Sequence, residues 1–124
     1  MSEIGEIATY LIYVRDSVKF YHWSTKCFAR HKASDEFVNR LTENTDNFIE
    51  ILQGYKNKRL ILPKVKYQYK NESDESIVIF LKEYRVWLIE VLPKYLDKKN
   101  TDLNNIRDSM LGDVNQILYL FTFK

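Results

Sequence analysis

The chain has a single cysteine, Cys27, so no disulfide can close within it and no second thiol is present to build a zinc knuckle. A reduced thiol is expected. No apolar run approaches the roughly 18 to 20 residues needed to cross a bilayer. The opening MSEIGEIATYLIYV also carries acidic residues where a secretory signal would carry basic ones. An intracellular, cytoplasmic protein with no membrane partner is therefore expected. A large excess of one charge is missing too: the net charge of +2 does not by itself point to a polyanion. The stretch YKNKRLILPKVKYQYK holds six Lys/Arg and no acid, but reads as a solvated loop, so nucleic acid is not an expected partner. Internal repeats and low-complexity segments are absent.

What is present is helical periodicity. The 124 residues, 45% apolar and 29% charged, suit one domain spanning 1–124. Ile4, Ile7, Leu11, Val14, Val18 and Tyr21 recur at a 3-4-3-4-3 spacing, one stripe of a helix over about residues 2–23. Ser24 and Thr25 offer capping hydroxyls for a second helix over about 26–53, striped by Val38, Leu41, Thr45, Phe48, Ile49 and Leu52, with Gly54 as its C-terminal cap. The pattern breaks over about 54–72, around Pro63, which predicts a crossover with room for a short extended piece. A third helix, about 73–98, is striped by Ile77, Phe80, Leu81, Tyr84, Leu88 and Val91 and should kink or lose regularity near Leu92, ahead of Pro93. Thr101 caps a fourth, about 101–122, with Leu103, Ile106, Met110, Val114, Ile117 and Phe121 inward and Gly112 admitting a close neighbour. The expected fold is all-α: a four-helix bundle with a long crossover between the second and third helices, the connectivity of ferritin-like bundles, with an up-and-down bundle as the alternative.

The second helix carries the chemistry. His31 and Asp35 form one i,i+4 pair and Asp46 and Glu50 another, each able to grip a cation on one helix face. With His31 at zero, Asp35 falls near 40°, Asp46 near 60° and Glu50 near 100°, at about 100° per residue, so the strip borders the apolar stripe without entering it. Asp35 and Asp46 are separated by about 16 Å of helix, whereas metal–ligand bonds span about 2 Å. One chain cannot close such a site. Two copies of this helix packed antiparallel about a two-fold axis would bring His31/Asp35 of one to Asp46/Glu50 of the other, twice over. His22, nine residues before His31 across a tight turn, would add a second imidazole.

The HW of His22-Trp23, the HxxxD of His31 and Asp35 and the DxxxE of Asp46 and Glu50 resemble the Dps-type miniferritins of the ferritin-like superfamily. That resemblance implies ferroxidase ligands at these five positions, the histidines and first aspartate from one subunit and the second pair from its two-fold mate. The segment YHWSTKCFARHKASDEF and the ending NIRDSMLGDVNQILYLFTFK are also similar to small uncharacterised ferritin-like proteins of bacteriophages and large DNA viruses, which carry no assigned activity. If the source is a virus, the virion becomes an expected location. The chain departs from the miniferritin pattern in a turn between His22 and His31 shorter by three residues, a shorter chain and the lack of a basic N-terminal tail. DNA condensation and a twelve-subunit shell are therefore not implied. The ExxH motifs of intrasubunit di-iron centres are absent.

Imidazole with carboxylate suits iron, and also zinc or manganese. The residues do not choose between a metal binder and a ferroxidase. Either implies a homodimer or larger homo-oligomer. The contrasting expectation is a non-enzymatic helical-bundle interaction protein, a viral accessory or virion component, whose polar strip is vestigial. Trp23 is expected at an interior helix–helix contact, and Arg107 in a structural ion pair.

Overall fold

A computed structural model of the chain describes residues 3–123, and everything described is helix, turn or irregular connection, with no strand among those residues. Helix α1 (Glu3–Ser24) runs antiparallel to α2 (Phe28–Lys56), whose C-terminal end lies beside the start of α1, with Lys56 Nζ 3.7 Å from Glu3. The connection 57–75 returns along α1 to the other end of the bundle, where Tyr21 Oη donates to Asp74 Oδ1 at 2.6 Å. Helix α3 (Ser76–Val86) then descends through a π-helical turn (Trp87–Val91) and a 3-10 turn (Leu92–Tyr95), which puts Tyr95 Oη 3.5 Å from Glu6. Helix α4 (Thr101–Leu120) climbs back to the level of Arg30 in the first turn of α2, which donates to the Phe121 carbonyl at 3.1 Å. Two antiparallel hairpins are thus joined by a crossover that spans the bundle, leaving α2 and α3 parallel.

The expected stripes form the core. All six residues of the α1 stripe are buried, as are Val38, Leu41, Thr45, Phe48, Ile49 and Leu52 of α2. In the second hairpin Ile77, Leu81, Tyr84, Leu88, Leu103, Met110, Val114, Ile117 and Phe121 are buried, while Phe80, Val91 and Ile106 are half-buried at the margin. Between α2 and α4, burial raises the pKa of the Asp113 carboxyl, opposed by Arg40 Nη1 at 3.6 Å and Asn44 at 3.3 Å.

The helix ends differ from expectation, each for a local reason. Helix α2 passes through Gly54 and stops at Asn57, which takes the left-handed conformation (φ 52°) and returns its N–H to Gln53 O. Asparagine tolerates that geometry, so the glycine is not needed. Ser24 closes α1 by bonding back to Tyr21 O, and Cys27, not a hydroxyl residue, stands at the α2 N-cap, with its N–H on Thr25 Oγ1. Asn100 precedes α4 in the capping position given above to Thr101. Gly112 faces open space, so it admits no close neighbour.

Pro93 has the expected effect in a specific form. It supplies no N–H, the Leu92 N–H bonds Trp87 O in the π register, and Leu88 O is left without its helical donor. Arg107 Nε fills that vacancy at 2.9 Å and Nη1 bonds Asp108 at 2.7 Å, so its structural role is chiefly to a carbonyl rather than to a distant acid. Trp23 departs further: it is 66% exposed, with Lys19 Nζ 5.3 Å from its ring centroid, and sits at no interior contact.

Candidate metal half-site

Only Thr25, Lys26 and Cys27 separate α1 from α2, and so short a turn sets the last turn of α1 against the first turn of α2. His22 and His31 meet there face to face, ring centroids 3.9 Å apart and planes 16° apart. Each ring bonds the other residue's backbone. His22 Nδ1 lies 2.7 Å from His31 O, and His31 Nδ1 lies 2.9 Å from His22 O. A carbonyl oxygen only accepts, so both Nδ1 atoms carry hydrogen, and in the neutral rings both Nε2 atoms hold lone pairs. Ser34, fully buried, donates to His31 O at 3.1 Å and stands 3.1 Å from His22 Nδ1. The three-residue turn therefore aligns the two histidines.

Asp35 completes this corner. Its Oδ1 is 3.8 Å from His22 Nε2, beyond hydrogen-bond range, and 3.5 Å from Lys19 Nζ. Both partners of the Lys19 pair are about a third to a half exposed, so the pair is worth little and gives way to a competing cation at small cost. His22 is 6% exposed and His31 half-buried, so the imidazoles are largely shielded while the carboxylate faces outward.

Asp46 and Glu50 do not join them. They are exposed further along α2, with no hydrogen-bond or ion-pair partner among the described residues, some 16 Å of helix from Asp35. Among the described residues no group of three or more His, Cys, Asp or Glu side chains is placed to hold a metal. One chain thus brings together His22, His31 and Asp35 as a loose set and leaves the second pair apart.

Three residues that matter here were not singled out by spacing. Ser34 and Lys19 carried no signal beyond lying one turn from His31 and His22. Arg30 clamps the same end: Nη1 donates to Tyr21 Oη at 3.1 Å and to Asp74 O at 2.7 Å, Nη2 donates to Phe121 O, and the guanidinium lies 4.6 Å from the Phe121 ring centroid. It ties together α1, the approach to α3 and the end of α4.

Residues 22–121 match the model of a family of unknown function, DUF5856, and the chain belongs to that family. No curated protein and no solved structure matches it.

Proposed function

We propose that this chain is a ferritin-like, Dps-type metal-binding protein whose site is shared by two copies across a two-fold seam, His22, His31 and Asp35 from one and Asp46 and Glu50 from the other. The observation that carries the reading is the reciprocal pairing of the histidines. Ligating imidazoles donate their second N–H to a fixed acceptor, which sets the tautomer and ring orientation. Both histidines here meet that requirement through backbone carbonyls, which no side-chain substitution can remove. The up, down, crossover, down, up course of the chain is the connectivity of ferritin-like bundles. The exposed Asp46 and Glu50 of the second copy would add two carboxylates to the one, Asp35, that the histidine corner already holds.

Donors of this kind fit Fe²⁺, Zn²⁺ and Mn²⁺. With Fe²⁺ as substrate the reading extends to oxidation: two Fe²⁺ give one electron each to a peroxide, which takes up two protons and leaves as two waters. The residues' own part is to hold lone pairs in place and to limit solvent access around His22.

The contrasting reading, a structural or interaction protein with a vestigial strip, is favoured by the Lys19 pair, which already neutralises Asp35. Anomalous scattering from crystals grown with Fe²⁺ or Zn²⁺ separates the two. A peak between His31/Asp35 and the symmetry mate's Asp46/Glu50 is expected. The vestigial reading requires no peak there and an oligomeric state indifferent to chelator. Iron oxidation assayed with dioxygen and with peroxide then distinguishes a binder from a ferroxidase.

A further inference from the structure

The crossover is the most basic part of the molecule, and its placement changes how its charge reads. Lys58, Arg59, Lys64, Lys66 and Lys70 are all exposed, and none has an acid within ion-pair distance among the described residues. Residues 62–72 make no backbone–backbone hydrogen bond among the described residues, so the segment is held by its side chains. Tyr67 stacks on Tyr13 with centroids 4.5 Å apart and planes 16° apart. Tyr69 donates to Asp16 at 3.2 Å and packs its ring 5.2 Å from Phe20. The acids that end the segment are engaged elsewhere, Glu72 with Ser76 and Asp74 with Tyr21 and Thr25.

This anchoring lays the basic segment beside an open aromatic groove. Phe20, Trp23, Ser24, Tyr69, Lys70 and Asn71 line it. The three rings form a row, Tyr69 to Phe20 at 5.2 Å and Phe20 to Trp23 at 6.1 Å, and they are 45%, 47% and 66% exposed. Lys66 lies within about 14 Å of chain from Lys70 and Lys64 within about 22 Å, at no more than 3.6 Å per residue. A row of cations without ion-pair partners among the described residues, leading to a concave slot of partly exposed rings with Lys19 Nζ over one side of Trp23, matches a polyanion that carries flat, unstacked groups.

We propose that this groove and the crossover bind single-stranded nucleic acid, with bases on the Phe20, Trp23 and Tyr69 rings and phosphates along Lys58, Arg59, Lys64, Lys66 and Lys70. The small net charge does not oppose this, because the acids of the metal strip lie on α2 and not along the crossover. Concavity favours a base over a lipid surface, which would need rings that protrude. Ser24 and Asn71 add hydrogen-bonding groups at the slot. The proposal is independent of the metal reading.

The test is fluorescence anisotropy of the intact chain with a labelled dT oligomer of about 12 nucleotides, from about 50 to about 200 mM salt. Saturable binding is expected, with log Kd rising against log salt at a slope of about 3.5, five cations at about 0.7 each for a single strand. Trp23→Ala should weaken binding about 5- to 150-fold with an unchanged melting curve, the range expected for losing one stacked base. The triple change Lys64→Glu, Lys66→Glu and Lys70→Glu should lower the slope by about 2. Any of three outcomes would overturn the proposal: no saturable binding at the lowest salt; affinity indifferent to Trp23→Ala and equal for a duplex or for inorganic polyphosphate; or partition onto phosphatidylserine vesicles with no affinity for dT.

Discussion

The two ends of α2 carry polar pairs of the same i,i+4 spacing, His31/Asp35 and Asp46/Glu50, and are built in opposite ways. At the N-terminal end His31 is half-buried, stacked on His22 and bonded to the His22 carbonyl across a three-residue turn, with Ser34 donating to the His31 carbonyl and Arg30 clamping the neighbouring elements. At the other end Asp46 and Glu50 stand exposed and unpartnered among the described residues. The first end loses little freedom on binding a cation, because its rings are already fixed. The second must be ordered by whatever meets it. A preorganised half and an adaptable half are what the proposed two-chain site would require.

The largest expected effect breaks the ordered end. Arg30→Ala removes three hydrogen bonds from a charged donor and should lower stability by about 2–4 kcal/mol in urea unfolding. An effect below about 0.5 kcal/mol would mean that the clamp is incidental. Next, His22→Ala leaves Ser34 and the His31 carbonyl without their ring partner and opens space beside α1, for a loss of about 1–3 kcal/mol. Asp46→Ala and Glu50→Ala in the metal-free chain should leave the urea midpoint nearly unmoved. Equal losses at the two ends would erase the contrast.

Away from both ends, burial pushes the phenols of Tyr10 and Tyr84 well above their ordinary range. The folded chain then holds its phenolic protons longer than the unfolded one, whose tyrosines titrate near 10. Stability present below pH 10 should therefore fall as pH climbs past it. The Tyr84 hydroxyl is buried without a hydrogen-bond partner among the described residues, so Tyr84→Phe should be neutral or stabilise by up to about 1 kcal/mol and flatten that alkaline fall, as read by melting temperature against pH. Destabilisation on removing the hydroxyl would reveal a partner for it.

The apolar stripes made the helices and their inward faces legible, because a 3.6-residue period is a property of the sequence itself. Helix ends were less legible. Asn57 could displace Gly54 as the cap because either residue accepts a left-handed backbone. Trp23 lies at the rim and not in the interior, a distinction that hydrophobicity does not carry at the end of a helix. Of the candidate site, the spacing singled out His22, His31, Asp35, Asp46 and Glu50, but not the reciprocal bonds that set the tautomers, which depend on backbone carbonyls. Arg30 was invisible for a related reason: its acceptors, at positions 21, 74 and 121, are far apart in the chain and two of them are main-chain oxygens.

The proposed two-chain site is tested most directly by complementation. One variant combines His31→Ala with Asp35→Ala, the other Asp46→Ala with Glu50→Ala. Each is titrated alone with Zn²⁺ by calorimetry, then both are mixed in equal amounts after unfolding and refolding together. Mixed pairs regain one intact site, so the mixture should recover about a quarter of the wild-type capacity while each variant alone recovers none. A mixture that binds no more than the average of its two components would contradict a site built from two chains.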